Sequence, residues 1–187
     1  MQKKLKDVAD IKFCLSGSGK GSERTKWLMP INLLENNMVS EIVTNDNYQR
    51  EKNSKISKED IIIKRISPSF INYIDKVEDD VYASGNLIIV RAKKIEAKYL
   101  AYLLNKNIGK MIDAYSGSTI PSIGRKDVED FIVPILPAES QKVIGELWLS
   151  SGELKKLRNR LSELEKIKTN YLISDFMNQQ IGGRKNG

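Results

Sequence analysis

Residues 143–171 read VIGELWLSSGELKKLRNRLSELEKIKTNY, and the spacing within this stretch decides how the rest of the chain is understood. Val143, Leu147, Ser150, Leu154, Leu157, Leu161, Leu164, Lys168 and Tyr171 recur at alternating steps of four and three, with Glu, Lys, Arg, Ser and Asn between and around them. A mean step of 3.5 residues holds one stripe of a helix against a single neighbour, as in a coiled coil. Residues 138–178 contain no proline, and Gly145 and Gly152 are their only glycines. The pattern predicts one helix over about 138–178, roughly 60 Å long at 1.5 Å per residue. A globular part of the remaining size is narrower than that, so the stripe needs a partner helix. Val143, Leu147, Leu154, Leu157, Leu161, Leu164 and Tyr171 are its candidate contacts. Ser150 and Lys168 interrupt it, and such interruptions set register or orientation. A helix folded back on its own globular part is the alternative.

Ahead of the helix, residues 1–137 read as a mixed α/β domain, and 179–187 as a flexible tail. The fold class expected is therefore α+β, a mixed domain followed by a long C-terminal coiled-coil helix. Strands are expected at Val8–Phe13, Asp60–Ile66, Phe70–Ile74 and Asn86–Arg91, because Ile61-Ile62-Ile63 and Leu87-Ile88-Ile89-Val90 are short β-branched runs bounded by polar residues. Leu100, Leu103, Leu104, Ile108, Met111, Ile112 and Tyr115 share one helical face, which predicts a helix over about Ala97–Tyr115 packed on the domain's own sheet. A turn-rich loop at 116–124, one helical turn at Arg125–Val128 and a last strand at Phe131–Pro134 complete the domain.

The net charge is +7 with a pI near 9.3, which favours anionic partners. The surplus is spread along the chain: +4 over residues 1–138 and +3 beyond. A basic surface must therefore be assembled by folding. The absence of histidine removes the commonest general base and metal ligand, and the single cysteine, Cys14, excludes a disulfide framework and reads as a small core residue. No metal site is expected. The basic start lacks an apolar run behind it and no stretch reaches the ~20 apolar residues of a membrane span, so a cytoplasmic location is expected.

Two motifs imitate catalytic ones. Ser16-Gly17-Ser18-Gly19-Lys20-Gly21 lacks the first glycine of a phosphate-binding loop and has Gly21 where Ser/Thr would hold magnesium. Glu96-Ala97-Lys98, with Asp79 and Asp80 upstream, has the acidic-x-Lys form of metal-dependent nucleases, but its Glu opens a predicted helix instead of converging from a sheet. No Asn-Pro-Pro-Tyr motif of adenine methyltransferases is present. No catalytic residues are assigned.

The segment from Ser116 to Ile144, SGSTIPSIGRKDVEDFIVPILPAESQKVI, resembles the end of a repeat of type I restriction–modification DNA-specificity subunits. That family carries a Gly-Ser-Thr-x-Pro-x-Ile loop, here Gly117–Ile123, then a short helix and an Ile-x-Val-Pro strand, here within Phe131–Pro134. A Pro-x-x-Glu-x-Gln-x-x-Ile entry to a long helix follows, here related to Pro137–Ile144. Glu59–Arg65, Ala83–Asn86 and Leu5–Ile11 match more loosely. Glu59 stands where the family has glycine, and Ile66-Ser67-Pro68 replaces a Gly-containing turn. The chain has one recognition domain and one long helix where a full subunit has two of each, which reads as a half-sized form.

The resemblance implies a non-catalytic subunit that binds double-stranded DNA and scaffolds an adenine methyltransferase subunit and a restriction/translocase subunit. S-adenosylmethionine and ATP/Mg would belong to those partners, and this chain would hold no cofactor. Antiparallel pairing of two C-terminal helices would give a homodimer reading a palindromic bipartite site. The DNA-contact candidates are Ser18, Lys20, Ser22 and Arg24 in the first polar connector; Tyr48, Arg50 and Lys52 in the second; Lys64 and Arg65 at a strand end; and Ser118, Arg125 and Lys126 about the family motif, where the helix start is a further phosphate candidate. A coiled-coil interaction protein with an unrelated head, a stand-alone nuclease or methyltransferase, and a truncated subunit that occupies the methyltransferase unproductively are the rival readings.

Overall fold

The computed structural model describes all residues except 16–24, 35–37, 40–42, 46–53, 78–79, 114–120 and 183–187. The chain opens with strand β1 (Gln2–Lys4), one turn α1 (Leu5–Val8) and β2 (Ala9–Phe13). Next come β3 (Thr25–Leu28), β4 (Leu33–Leu34), β5 (Met38–Val39), β6 (Val43–Asn45), β7 (Ile61–Lys64), β8 (Ile71–Tyr73), β9 (Val81–Ala83) and β10 (Leu87–Ala92). Helix α2 (Ala97–Asn107), β11 (Ile112–Asp113), β12 (Ser122–Ile123), α3 (Arg125–Glu129), β13 (Ile132–Pro134) and α4 (Ala138–Gly182) complete the order.

A four-stranded antiparallel sheet, β2-β10-β7-β8, organises the globular part. Its register sets Val90 opposite Ile11 on one side and Ile61 on the other, and Ile61 opposite Tyr73. Both faces are covered, which explains the continuous apolar runs. Ile61, Ile63, Ile88 and Val90 enter a core shared with α1, α2 and α3. Their neighbours Ile62, Leu87 and Ile89 point the other way, into a second core with Leu28, Leu33, Ile56 and Val81. That second core lies under the smaller sheet β6-β3-β9, in which β3 and β9 run parallel. Cys14 is partly buried against it.

Three expectations shift. The strand expected at Val8–Phe13 begins at Ala9, because Leu5 and Val8 bury themselves from a helical turn. The sequence reading assigned no element to the chain start, where Gln2–Lys4 forms a ladder with β13 just before the long helix. Third, the helix expected to reach Tyr115 stops at Asn107, whose side-chain amide donates to the Leu103 carbonyl (2.8 Å). A 3₁₀ turn follows at Ile108–Lys110, after which Ile112 pairs with Ile123 in a strand. Helical spacing alone does not register that pairing, and tertiary context overrides it.

Glu59 and Asn86 adopt positive φ, 68° and 65°. Asn86 is a residue type that tolerates this region, whereas Glu59 occupies a conformation that glycine adopts without steric cost.

The long helix is present as one element of 45 residues, Ala138–Gly182. The chain divides into two compact units, Met1–Leu149 and Ser150–Gly187, so the division falls inside α4, after Leu149. The helix's first turns are seated by a specific joint. Gln141 is buried; its Oε1 accepts from the Glu96 N–H (2.9 Å) and its Nε2 donates to the Leu136 carbonyl (2.8 Å). Glu96 in turn caps α2 by accepting from the Tyr99 N–H (2.8 Å), and the Tyr99 hydroxyl donates to the Pro134 carbonyl (2.9 Å). One helical turn on, Gly145 lies so close to the start of α2 that a Cβ there would meet Lys98 Cβ at 2.7 Å and the Tyr99 nitrogen at 2.8 Å. Ile144, Trp148 and Leu149 pack on the first core from the same side of α4. Among the described residues no helix is long and apolar enough to cross a membrane.

Gly145→Ala therefore forces α4 and α2 apart. It is expected to lower stability by about 1–3 kcal/mol, the usual cost of overpacking. Gly152→Ala, at a half-buried position between exposed neighbours on the helix, is expected to raise helix stability by up to ~1 kcal/mol. Urea unfolding of both variants checks the contrast.

Candidate nucleic-acid interface

The two ends of the central sheet differ in charge. At the end where β7 begins, Asp60 is fully buried and holds Arg91 by two bonds, Nε to Oδ1 and Nη2 to Oδ2, both 2.7 Å. Asp60 also accepts from the Ser57 N–H (2.7 Å), and Arg91 donates to the Ser57 hydroxyl (3.1 Å). The hydrogen bond to Asp60 raises the Arg91 pKa above its ordinary value. This arginine is committed to fixing the Ser57–Asp60 turn.

At the opposite end, β2 finishes at Phe13, β10 starts at Leu87 and β7 finishes at Lys64, which pairs with Leu87. Backbone bonds tie the next residues together: Cys14 N–H to the Leu87 carbonyl (3.0 Å), Arg65 N–H to the Asn86 carbonyl (3.0 Å) and Ile123 N–H to the Arg65 carbonyl (3.0 Å). The Arg65 guanidinium donates through Nε to the Ile123 carbonyl (2.9 Å), leaving its other nitrogens available. Ser67 N–H reaches the Pro121 carbonyl (3.1 Å), so the segment carrying the Pro-x-Ile motif is stitched to the end of β7.

Two aromatic rings support the cations here. The Arg125 guanidinium lies 4.3 Å from the centroid of Phe13, and the Lys64 ammonium 5.2 Å from that of Phe70. Arg125 also donates to Glu129 (3.2 Å), an exposed pair one turn along α3. Among the described residues, Lys64 and Arg65 have no carboxylate partner. The fold thus brings Lys64, Arg65 and Arg125 to one sheet end. Stacking on rings preorganises such side chains while their charge stays open to an anion.

Lys126 is exposed on α3 but lines a separate depression of about 430 Å³ with Lys110, Asp127 and Asp130. At the start of α3 the Asp127 carboxylate accepts the Gly124 N–H (2.9 Å). Ser18, Lys20, Ser22, Arg24, Tyr48, Arg50, Lys52 and Ser118 lie outside the described residues. The sequence reading did not single out Phe13, Phe70 or Gln141. An aromatic at a strand end beside basic residues was the available signal for the first two. Gln141 stood inside the family motif.

The Glu96-Ala97-Lys98 triplet is structural. Glu96 caps α2 and Lys98 pairs with Glu146 of α4 at 2.6 Å. The described residues hold no group of three or more His, Cys, Asp or Glu able to bind a metal ion.

The stripe on α4 is uncovered. Val143, Leu147, Leu154, Leu157, Leu161, Leu164 and Tyr171 are each between 47% and 71% exposed. Ile167, Leu172, Ile173, Phe176 and Met177, not singled out from the sequence, are exposed as well. Apolar surface of this extent on one helix is more than isolated exposed side chains contribute.

A family model described as "Type I restriction modification DNA specificity domain" matches residues 1–173. No curated protein matches the chain. Among solved structures, the HsdS subunit from Thermoanaerobacter tengcongensis superposes with a TM-score of 0.60 at 16% identity, over 97% of this chain and 47% of that one. A chain from a structure of the assembly and conformational transition of the type I R-M system gives 0.55 at 15% identity, over 97% and 44%. The type I restriction–modification S subunit from M. genitalium gives 0.50 at 13% identity, over 100% and 46%. At such identities the likeness is one of fold. The chain spans a little under half the length of each of these relatives.

Proposed function

Because the chain belongs to the type I restriction–modification DNA-specificity domain family, we propose that it is a non-catalytic DNA-reading subunit that supplies one half of a split target site. Within the described residues, the observation that carries this reading is the basic sheet end formed by Lys64, Arg65 and Arg125, two of them braced on aromatic rings. Cations at that end neutralise phosphates and set the register of the duplex, while side chains of neighbouring loops read base edges. An adenine methyltransferase subunit and a restriction/translocase subunit would supply the S-adenosylmethionine and ATP/Mg chemistry, with this chain as their scaffold.

The exposed stripe on α4 supports pairing with a second copy. Two identical helices running antiparallel give a two-fold homodimer, and a two-fold reader matches a palindromic target of two inverted half-sites around unspecified bases.

Replacing Lys64, Arg65 and Arg125 together with Gln is expected to weaken binding to a duplex. The slope of log affinity against log salt concentration should fall by about 2–3, since each phosphate contact contributes roughly 0.9. An unchanged slope would remove this sheet end from the interface. Modified-base sequencing of cells that express the chain with its methyltransferase should return a palindromic bipartite motif; a non-palindromic motif would replace the homodimer with pairing to a different half. Leu157→Asp with Leu161→Asp should convert the dimer to monomers in sedimentation experiments, and a dimer surviving that change would mean the stripe is not the interface.

A further inference from the structure

The stripe on α4 also constrains how two copies would meet, and this step rests on the homodimer proposed above. Parallel pairing sets every residue against its own copy, which would place Lys168 beside the partner's Lys168 within a seam that is apolar except at Ser150. Antiparallel pairing avoids that contact, and only registers a heptad apart keep stripe against stripe.

We propose that the two copies pair antiparallel about a two-fold axis at Asn159, with Leu157 packed on the partner's Leu161. The same register sets Leu154 on the partner's Leu164 and Leu147 on the partner's Tyr171, all large side chains that α4 leaves exposed. It also sets Ser150 on the partner's Lys168. The two interruptions of the seam therefore meet each other, and the lysine ammonium can reach the serine hydroxyl and water together.

Shifting one way by a heptad puts Lys168 on the partner's Leu157 and Ser150 on the partner's Asp175. Shifting the other way puts Lys168 on the partner's Val143 and Ser150 on the partner's Leu161. Each shift replaces apolar layers with mixed ones. Each gains an Arg–Glu contact at the flank, Arg158 with the partner's Glu165 or Arg160 with the partner's Glu153. Exposed ion pairs contribute little beside a buried leucine. In the proposed register Arg158 and Arg160 approach their own counterparts near the axis. Both are exposed flanking residues, and Arg160 already pairs with Glu163 at 3.0 Å.

Cysteine cross-linking of the full chain in a Cys14→Ala background tests the register. Leu154→Cys with Leu164→Cys should form covalent dimers under mild oxidation. Leu154→Cys with Tyr171→Cys and Leu147→Cys with Leu164→Cys report the two shifted registers, and either single cysteine reports parallel pairing. These should each give less than about a tenth as much cross-link. Preferential cross-linking of a shifted pair or a single cysteine overturns the register while leaving the homodimer intact. A monomeric parent chain in sedimentation overturns the homodimer and the register with it. As a second readout, Ser150→Leu and Lys168→Leu combined should tighten dimerisation about tenfold beyond the product of their separate effects, as expected of residues in contact. Effects that simply multiply would place the two residues in different layers and reject the register.

Discussion

The architecture depends on how the first turns of α4 are seated. Gln141 answers two backbone groups at once, one at the entry to α2 and one just ahead of its own helix. Gly145 lets the two helices approach to a distance that a methyl group would prevent. With Ile144, Trp148 and Leu149 turned onto the core, the opposite side of α4 is left facing water at Val143 and Leu147. In the sequence, the heptad spacing that starts at Val143 and Leu147 continues to Tyr171. A single side-chain amide and a missing Cβ therefore decide which face of the helix's first turns is left to solvent.

The central sheet performs a second separation. Covering both faces turns its strands into a rigid block whose two ends carry different chemistry. At one end Arg91 is locked by a buried carboxylate, so its charge serves a turn. At the other, cations lean on aromatic rings and on a backbone carbonyl, which fix their positions, and of the three only Arg125 also meets a carboxylate, that of Glu129. A surface for a polyanion needs positioned charge that is not already neutralised, and Lys64 and Arg65 provide it at this end.

The acidic-x-Lys motif that imitates catalysis resolves into scaffold contacts, with Glu96 capping a helix, Lys98 tying that helix to α4 and Asp80 pairing with Lys55, while Ser16–Gly21 and Asp79 lie outside the described residues.

The sequence by itself determined the long helix, the exposed seam, the strand runs at Ile61–Ile63 and Leu87–Val90, and membership in the family, because each is written in a local period or a contiguous motif. It also marked Lys64, Arg65 and Arg125 as charges near loop ends. Only the tertiary structure decided that these three share one sheet end while Lys126 does not, that Asp127 accepts the Gly124 N–H at the start of α3, and that Ile112 leaves a helical pattern to pair with Ile123. It alone gave Gln141 its role. The physical reason is the same in each case: which residues meet across tens of positions depends on strand pairing and close packing, and neither leaves a periodic trace in the chain.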